Sequence, residues 1–213
     1  MTIDSALLDS QTPQAKAAAQ SDKNTFMKYD KLQIVGLPKA FELWETPEYI
    51  EPLSGNHDPD DIKNDMYPAE CDEEALEDAC VLFKYNESAT GVWMVYREPV
   101  HALELTLSPW ASDADVVLYA AFVNAVLAKH KRSRLYDKFA PLPGLSEEDV
   151  RQMTLERHKY LQRLLKTKEG FTMEGVNACY TLKVAHLRPE PSIEEQAAQL
   201  QKVFVGMQWS EDK

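Results

Sequence analysis

The chain has 213 residues, of which 44% are hydrophobic, and this is enough apolar surface to build one well-packed core. Its formal net charge of −12 works against contact with phosphates, so direct nucleic-acid binding is not expected. No stretch approaches the roughly 18 to 20 apolar residues of a membrane helix, so the sequence predicts no membrane span.

The first 24 residues are polar and rich in alanine, and they contain no apolar run long enough to bury. A secretory signal needs an uninterrupted apolar block, which Asp4, Asp9 and Gln11 interrupt. We therefore predict a mobile N-terminal arm over residues 1–24, followed by a single domain over residues 25–213.

Three cysteines, Cys71, Cys80 and Cys179, form no C-x-x-C pair, and their odd number argues against a disulfide framework or a zinc site. Cys80 and Cys179 lie in apolar, strand-like runs, where a free thiol packs as a small hydrophobic side chain. A pairing of Cys179 with His101 or His186 across a sheet stays open as a chemically active alternative. Free thiols favour a reducing compartment, so we expect a cytoplasmic protein.

The negative charge is concentrated in one segment. Residues 42–78 contain fourteen acidic residues and one basic residue, Lys63, which leaves 21 acids and 22 bases for the rest of the chain. Repulsion among these carboxylates works against compaction. Residues 42–78, called the acidic segment below, are therefore expected to be either a solvated excursion or a surface that attracts a cationic partner.

Five short strands are predicted from runs of branched and aromatic residues bounded by turn-forming residues. Their expected bounds are 31–37, 79–85, 92–97, 100–107 and 176–187. In the fourth run, Leu103, Leu105 and Leu107 alternate with polar residues, as in a strand with one buried face. The second to fourth runs follow each other closely, so we predict an antiparallel meander.

Three helices are predicted from capping residues and from apolar residues at helical spacing. The first begins at Ser112 and runs to about Lys131, with the basic stretch Lys129–Arg134 at the negative end of its dipole. The second opens at Ser146, where Ser-Glu-Glu-Asp has capping-box spacing, and the third is capped by Ser192. Strands grouped apart from helices predict an α+β domain, a mainly antiparallel sheet with helices packed on one face.

Tests for catalytic and metal-binding patterns find none that is complete. An EF-hand loop started at Asp58 would put Lys63 where the glycine turn belongs and Ala69 where the bidentate glutamate belongs. The chain has no H-E-x-x-H, no G-x-S-x-G and no glycine-rich phosphate loop. We therefore predict no catalytic residue, no metal and no cofactor.

The acidic segment favours a protein that acts by binding another macromolecule. Small acidic bacterial proteins that neutralise toxins have this charge and size, and carboxylates can occupy a basic cleft in place of phosphates. The expected function is a non-catalytic immunity or antitoxin-like inhibitor that occludes a toxin enzyme, with aromatic residues as anchors. The predicted partner-binding residues are Trp44, Tyr49, Asp58, Asp60, Asp61, Asp65, Tyr67, Glu73 and Glu74.

Other interpretations stay open. The chain is alternatively a small hydrolase with an unrecognised site, or an assembly or adaptor protein that uses its arm and terminal helix. The aromatic residues of the acidic segment would equally well pack against the chain's own domain. The carboxylates of the segment would equally well pair with Lys129–Arg134 inside the fold.

Overall fold

The computed structural model describes residues 27–41, 43, 66–68, 79–84, 86–138, 140–167, 170–176, 179–183 and 192–209. These residues form an α+β domain with two antiparallel sheets. The strands are β1 (Lys31–Val35), β2 (Met66–Pro68), β3 (Ala79–Leu82), β4 (Val92–Arg97), β5 (Ala102–Leu107), β6 (Arg134–Asp137), β7 (Ala140–Leu142), β8 (Gly170–Glu174) and β9 (Cys179–Lys183). The helices are α1 (Asp113–Lys129), α2 (Glu147–Thr167) and α3 (Ile193–Trp209).

The main sheet has the order β2-β3-β4-β5-β1-β6-β7, and its neighbouring strands are antiparallel. The predicted meander is confirmed, because β3 pairs with β4 and β4 pairs with β5. The first strand in sequence, β1, lies between β5 and β6, so the strand order does not follow the chain. Pro141 lies in β7 at the edge of the sheet, the place in a sheet where proline is usually tolerated.

Helix α1 covers one face of the main sheet. Leu103, Leu105 and Leu107 of β5 are all buried in one cluster with Phe122 and Val126 of α1, as the sequence predicted. Burial of each such side chain contributes roughly 1.5 to 3 kcal/mol. The helix begins with a capping box: Ser112 Oγ accepts a hydrogen bond from the backbone N–H of residue 115, and the Asp115 carboxylate accepts one from Ser112 N–H.

The second helix, α2, also begins where its sequence indicated, since the backbone N–H of Asp149 donates to Ser146 Oγ at 3.2 Å. Its inner face carries a buried charged residue, which was not predicted from the sequence. Arg157 is completely buried, and its guanidinium donates to the carbonyl oxygens of Leu107, Ser108 and Met153. The arginine thus joins α2 to the end of β5.

A second, smaller core lies beside the first. It is formed by the hairpin of β8 and β9 together with α3, and its buried members include Met173, Leu182, Leu200 and Phe204. Ser192 caps α3 by accepting a hydrogen bond from the backbone N–H of Glu195 at 3.1 Å, as predicted.

Three parts of the sequence prediction are corrected. Helix α1 ends at Lys129, and Arg134 begins β6 instead of ending the helix, because Leu135 is buried as β6 pairs with β1. Strand β8 was not predicted from the sequence. It has only five residues and begins three residues after the end of α2, so no turn pattern separates it clearly from the helix. The strand predicted at 176–187 corresponds to β9, which spans 179–183 in the described residues.

The predicted N-terminal arm, residues 1–24, lies outside the described residues. Among the helices that are described, none combines the length and the hydropathy needed to cross a membrane.

Candidate functional site

The acidic segment is joined to the domain at described positions on both of its sides and in its middle. Before it, Phe41 is buried, with its ring 5.0 Å from that of Tyr96 and 6.0 Å from that of His130. Leu43, one residue into the segment, belongs to the main core. After the segment, Ala79 begins β3. The segment therefore leaves the fold next to buried residues and returns to it at the first residue of β3.

The middle of the segment forms an edge of the main sheet. Strand β2 pairs with β3, and Tyr67 is in register with Val81, which is in turn in register with Trp93 of β4. Asp65 immediately precedes β2 in the chain. The sheet edge thus fixes the main chain next to the aspartate-rich stretch.

The described residues include one of the predicted partner-binding residues, Tyr67, and only through its main-chain position in β2. The structure therefore does not test whether the nine predicted partner-binding residues lie close together. The members that lie outside the described residues are Trp44, Tyr49, Asp58, Asp60, Asp61, Asp65, Glu73 and Glu74.

An exposed aromatic residue lies close to this edge. Trp93 is 40% exposed, whereas its neighbours Val92 and Met94 are fully buried on the opposite face of β4. The alternation of residues along a strand places Trp93 on the face turned away from α1. The strand is predictable from its sequence, and the same alternation is a signal for the exposed position of this tryptophan.

The end of the sheet at which β4 finishes carries many basic residues. Lys131, Arg132 and Arg134 are exposed there, and Arg134 Nη1 donates to the carbonyl oxygens of residues 131, 132 and 133. No carboxylate among the described residues lies within ion-pair distance of these three side chains. The carboxylates of the acidic segment lie outside the described residues, so the pairing of this stretch with them stays a prediction.

The three helices meet at a histidine and an aspartate. His158 Nε2 of α2 lies 2.9 Å from Asp113 Oδ1 of α1, and Gln201 Nε2 of α3 lies 2.7 Å from the same oxygen. Because the amide nitrogen can only donate, its 3.2 Å approach to His158 Nε2 is not a second hydrogen bond when the imidazole donates to Asp113. Burial acts to raise the pKa of Asp113, but hydrogen bonds from His158 and Gln201 outweigh it and lower that pKa.

This pair resembles the base and orienting group of a catalytic triad in composition only. A triad also needs a nucleophile within hydrogen-bond reach of the histidine. Within the described part of the chain, the side chains that approach His158 Nε2 are those of Asp113 and Gln201, and neither supplies the hydroxyl or thiol that a triad needs. The arrangement therefore ties α1, α2 and α3 together.

The environment of Cys80 does not favour a reactive thiolate. The residue is fully buried in the main core, and burial raises the pKa of its thiol to about 12. Cys179 begins β9, but its side chain lies outside the description, so its predicted packing role stays a prediction. Within the described ranges, no three His, Cys, Asp or Glu side chains are grouped to bind a metal ion.

Comparison of the chain with protein-family models, with curated proteins and with solved structures finds no match.

Proposed function

We propose that the chain is a non-catalytic cytoplasmic protein that binds a cationic protein partner, and that it acts as an immunity or antitoxin-like inhibitor of a toxin enzyme. In this proposal the acidic segment enters the basic substrate cleft of the enzyme and excludes the substrate. Carboxylates there take the positions that phosphates or other anions of the substrate would occupy.

One observation carries the proposal: fourteen of the 35 acidic residues, but only one of the 23 basic residues, lie within residues 42–78. A segment with this composition opposes its own compaction. A binding partner that neutralises the charge would explain why a well-folded domain carries such a segment. Long-range attraction of this kind acts mainly on the rate of association.

The attachment of the segment supports the same proposal. It departs from buried Phe41 and Leu43 and pairs with the sheet through β2. A segment tethered at such points loses less conformational entropy on binding than a free tail of the same length would. The exposed ring of Trp93, two strands from the edge, offers an aromatic anchor that carboxylates alone do not supply.

The test is co-expression with the product of the neighbouring gene, followed by binding measurements at two salt concentrations. The variant neutralises Asp60, Asp61, Asp65, Glu73 and Glu74 to Asn or Gln. We expect association to slow by about tenfold or more and its salt dependence to flatten, with little change in dissociation.

A matched control neutralises five exposed acidic residues elsewhere, so that the net charge changes by the same amount. Those residues are Glu87, Glu98, Glu147, Glu148 and Glu195. The control is expected to retain most of the association rate, because proximity and not net charge decides the attraction at moderate salt. Equal slowing in both variants, or a partner that binds the first variant unchanged, would remove the support for this inhibitor.

A further inference from the structure

Helix α1 carries no charged side chain over most of its length. Between Asp115 and Lys129 its sequence is VVLYAAFVNAVLA. One side of the helix packs on the main sheet. The side that reaches solvent is made of uncharged residues, namely Ala114, Val117, Ala121, Asn124 and Ala128. Because the solvent side of a surface helix normally carries charged residues, this composition is typical of a helix that is covered on both sides.

Helix α2 lies antiparallel beside α1. His158, in the middle of α2, contacts Asp113 in the first turn of α1. Leu145, just before α2, bonds with both of its backbone groups to the side chain of Asn124, which lies toward the end of α1. The two helices therefore present one continuous outer surface, called the helix-pair face below.

Two exposed apolar side chains lie at the same level of the helix-pair face. Val117 follows Asp113 by four residues, or about 6 Å along α1, and Leu155 precedes His158 by three residues, or about 4.5 Å along α2. Val117 is 53% exposed and Leu155 is 41% exposed. Half of the four exposed large apolar residues of the described chain are thus next to each other on this face.

The exposed charges of α2 are divided about Leu155. The exposed acidic residues before it are Glu147 and Glu148, and the exposed basic residues after it are Lys159, Arg163 and Lys166. Arg151 is an exposed base in the first part of the helix, and it is paired with Glu148 at 3.3 Å. This division suits the dipole of α2. It also makes the exposed side of α2 complementary to a second α2 that runs antiparallel to it.

We propose that two copies of this chain associate through the helix-pair face, with each helix packed antiparallel on its counterpart. The two-fold axis passes close to Val117 and Leu155, so these residues meet their counterparts at the centre. A half turn places the acidic start of α2 over the basic end of the other α2, and it does so twice. The small residues of α1 allow the two α1 helices to approach to about 8 Å.

The charges of the helix-pair face favour a second copy over the cationic partner proposed above. A cationic surface would find no carboxylate along the exposed side of α1, and it would be repelled by Lys159 and Lys166. A second copy pairs the acidic and the basic ends of α2 at the same time. It also covers the uncharged side of α1 with an equally uncharged surface, so that no charge is buried without a partner.

The size of the face predicts a weak, reversible dimer. The 17 residues of α1 extend about 25 Å, and two helices side by side are about 20 Å wide. The face therefore covers roughly 500 Å² per copy, or about 1,000 Å² in total, which is near the lower limit for a specific interface. We expect the dimer to form in a concentration-dependent equilibrium with the monomer.

This association goes beyond the proposed inhibitor function and does not depend on it, because neither helix belongs to the acidic segment. The tests use the purified full chain alone. Their failure therefore leaves the inhibitor proposal untouched, and failure of the inhibitor proposal leaves the dimer untouched.

The first measurement is sedimentation equilibrium of the full chain over a wide range of protein concentrations. The average mass should rise toward that of two chains as the concentration increases, and it should not rise beyond that value, because a two-fold interface closes. A monomer at every concentration up to the solubility limit would overturn the proposal. A mass that continues to rise past two chains would overturn it as well.

Val117 is tested with a matched control. Val117→Glu places two like charges near the axis, so the dimer should dissociate at a concentration about tenfold higher or more. Val100→Glu makes the same change at a valine that is 62% exposed in the turn between β4 and β5, and it should leave the equilibrium unchanged. The proposal is wrong if Val117→Glu associates like wild type, or if Val100→Glu weakens the dimer as much as Val117→Glu does.

A charge-swap pair tests the antiparallel arrangement of α2. One variant carries Glu147→Lys and Glu148→Lys, and the other carries Lys159→Glu and Lys166→Glu. Each variant alone has like charges at both ends of α2, so each should associate less than wild type. A mixture of the two brings opposite charges together again, so a heterodimer should form. If the mixture associates no better than the separate variants, while both remain folded by circular dichroism, the proposed arrangement is excluded.

Discussion

Asp113 accepts a hydrogen bond at 2.9 Å from His158, which lies 45 residues later in the chain. The contact joins the first turn of α1 to the middle of α2. Gln201 of α3 donates to the same carboxylate, and its own side-chain oxygen accepts from Asp113 N–H at 3.3 Å. One carboxylate therefore connects all three helices.

The stability contributed by Asp113 should depend on pH. Its folded-state pKa lies below the ordinary value of 3.8, so its contribution is present above about pH 4 and is lost as pH falls through the folded-state value. In Asp113→Asn this loss on acidification should be missing. Urea unfolding at several pH values between 5 and 2 measures the difference, and parallel pH curves for the two proteins would contradict it.

The size of the effect is limited by solvent. The Asp113 side chain is 49% exposed, so the pair is partly screened. A double-mutant cycle with Asp113→Asn and His158→Gln at pH 6 should give a coupling free energy of about 0.5 to 1 kcal/mol. A coupling indistinguishable from zero would mean that the Asp113–His158 contact does not help to hold α1 and α2 together.

The main features of the fold followed from local patterns in the sequence. The alternation around Leu103 and the caps at Ser112, Ser146 and Ser192 identified the meander and the three helices correctly. These signals act over a few residues, so they can be read without tertiary information. The insertion of β1 between β5 and β6 depends on contacts over 67 residues or more in sequence, and no local pattern contains it.

Polar contacts across the fold were harder to predict for the same reason. Arg157 is spaced like an inward-facing residue of α2, but a charged side chain at such a position is usually exposed. Its burial becomes understandable only because carbonyl oxygens at the end of β5 are within reach. The acidic segment was predictable as a charge pattern, and the alternation along β4 was a signal for the exposed position of Trp93.

Asp115 should be among the most sensitive polar residues. Its Oδ2 accepts backbone hydrogen bonds from Ser112, Ala89 and Thr90 at 2.9 to 3.1 Å, and the side chain is completely buried. Asp115→Ala leaves three N–H groups without this acceptor, so we expect a loss of roughly 3 kcal/mol or more in the free energy of unfolding. Asp115→Asn keeps the shape and one acceptor oxygen, so it should lose less.

Equilibrium urea denaturation measures these two values, and hydrogen exchange locates the effect. The amides of Ala89 and Thr90 should exchange faster in Asp115→Ala than in wild type under native conditions. If Asp115→Ala costs less than about 1 kcal/mol, the loop between β3 and β4 is held by its other contacts.

Two glycines should respond to alanine in opposite directions. Gly91 has a φ of +64°, and a Cβ there would lie 2.6 Å from Val81 Cγ1 and 2.8 Å from the Leu82 carbonyl oxygen. Gly91→Ala should therefore destabilise the protein by about 2 kcal/mol or more. Gly206 lies inside α3, and a Cβ at this position would have open space around it to a distance of 4 Å. Gly206→Ala should therefore stabilise the protein by roughly 0.5 to 1 kcal/mol.

Thermal unfolding of the two glycine variants beside wild type checks the pair. A lower melting temperature for Gly206→Ala would indicate that α3 is not packed as described, and an unchanged one for Gly91→Ala would show that the turn relaxes without cost.

The Cys80 thiol should be unreactive in the folded protein. Burial raises its pKa from the ordinary value of 9.0 to about 12, so at pH 8 its thiolate fraction is about a thousandfold lower than that of an exposed cysteine. In a Cys71→Ser/Cys179→Ser background, labelling with a disulfide reagent should be slow in buffer and complete in urea. Because the folded state binds this proton more tightly, stability should also decline between about pH 9 and pH 12. Rapid labelling of native protein at pH 8, with the melting temperature unchanged, would place Cys80 in contact with solvent and contradict the packing of β3 against the helices.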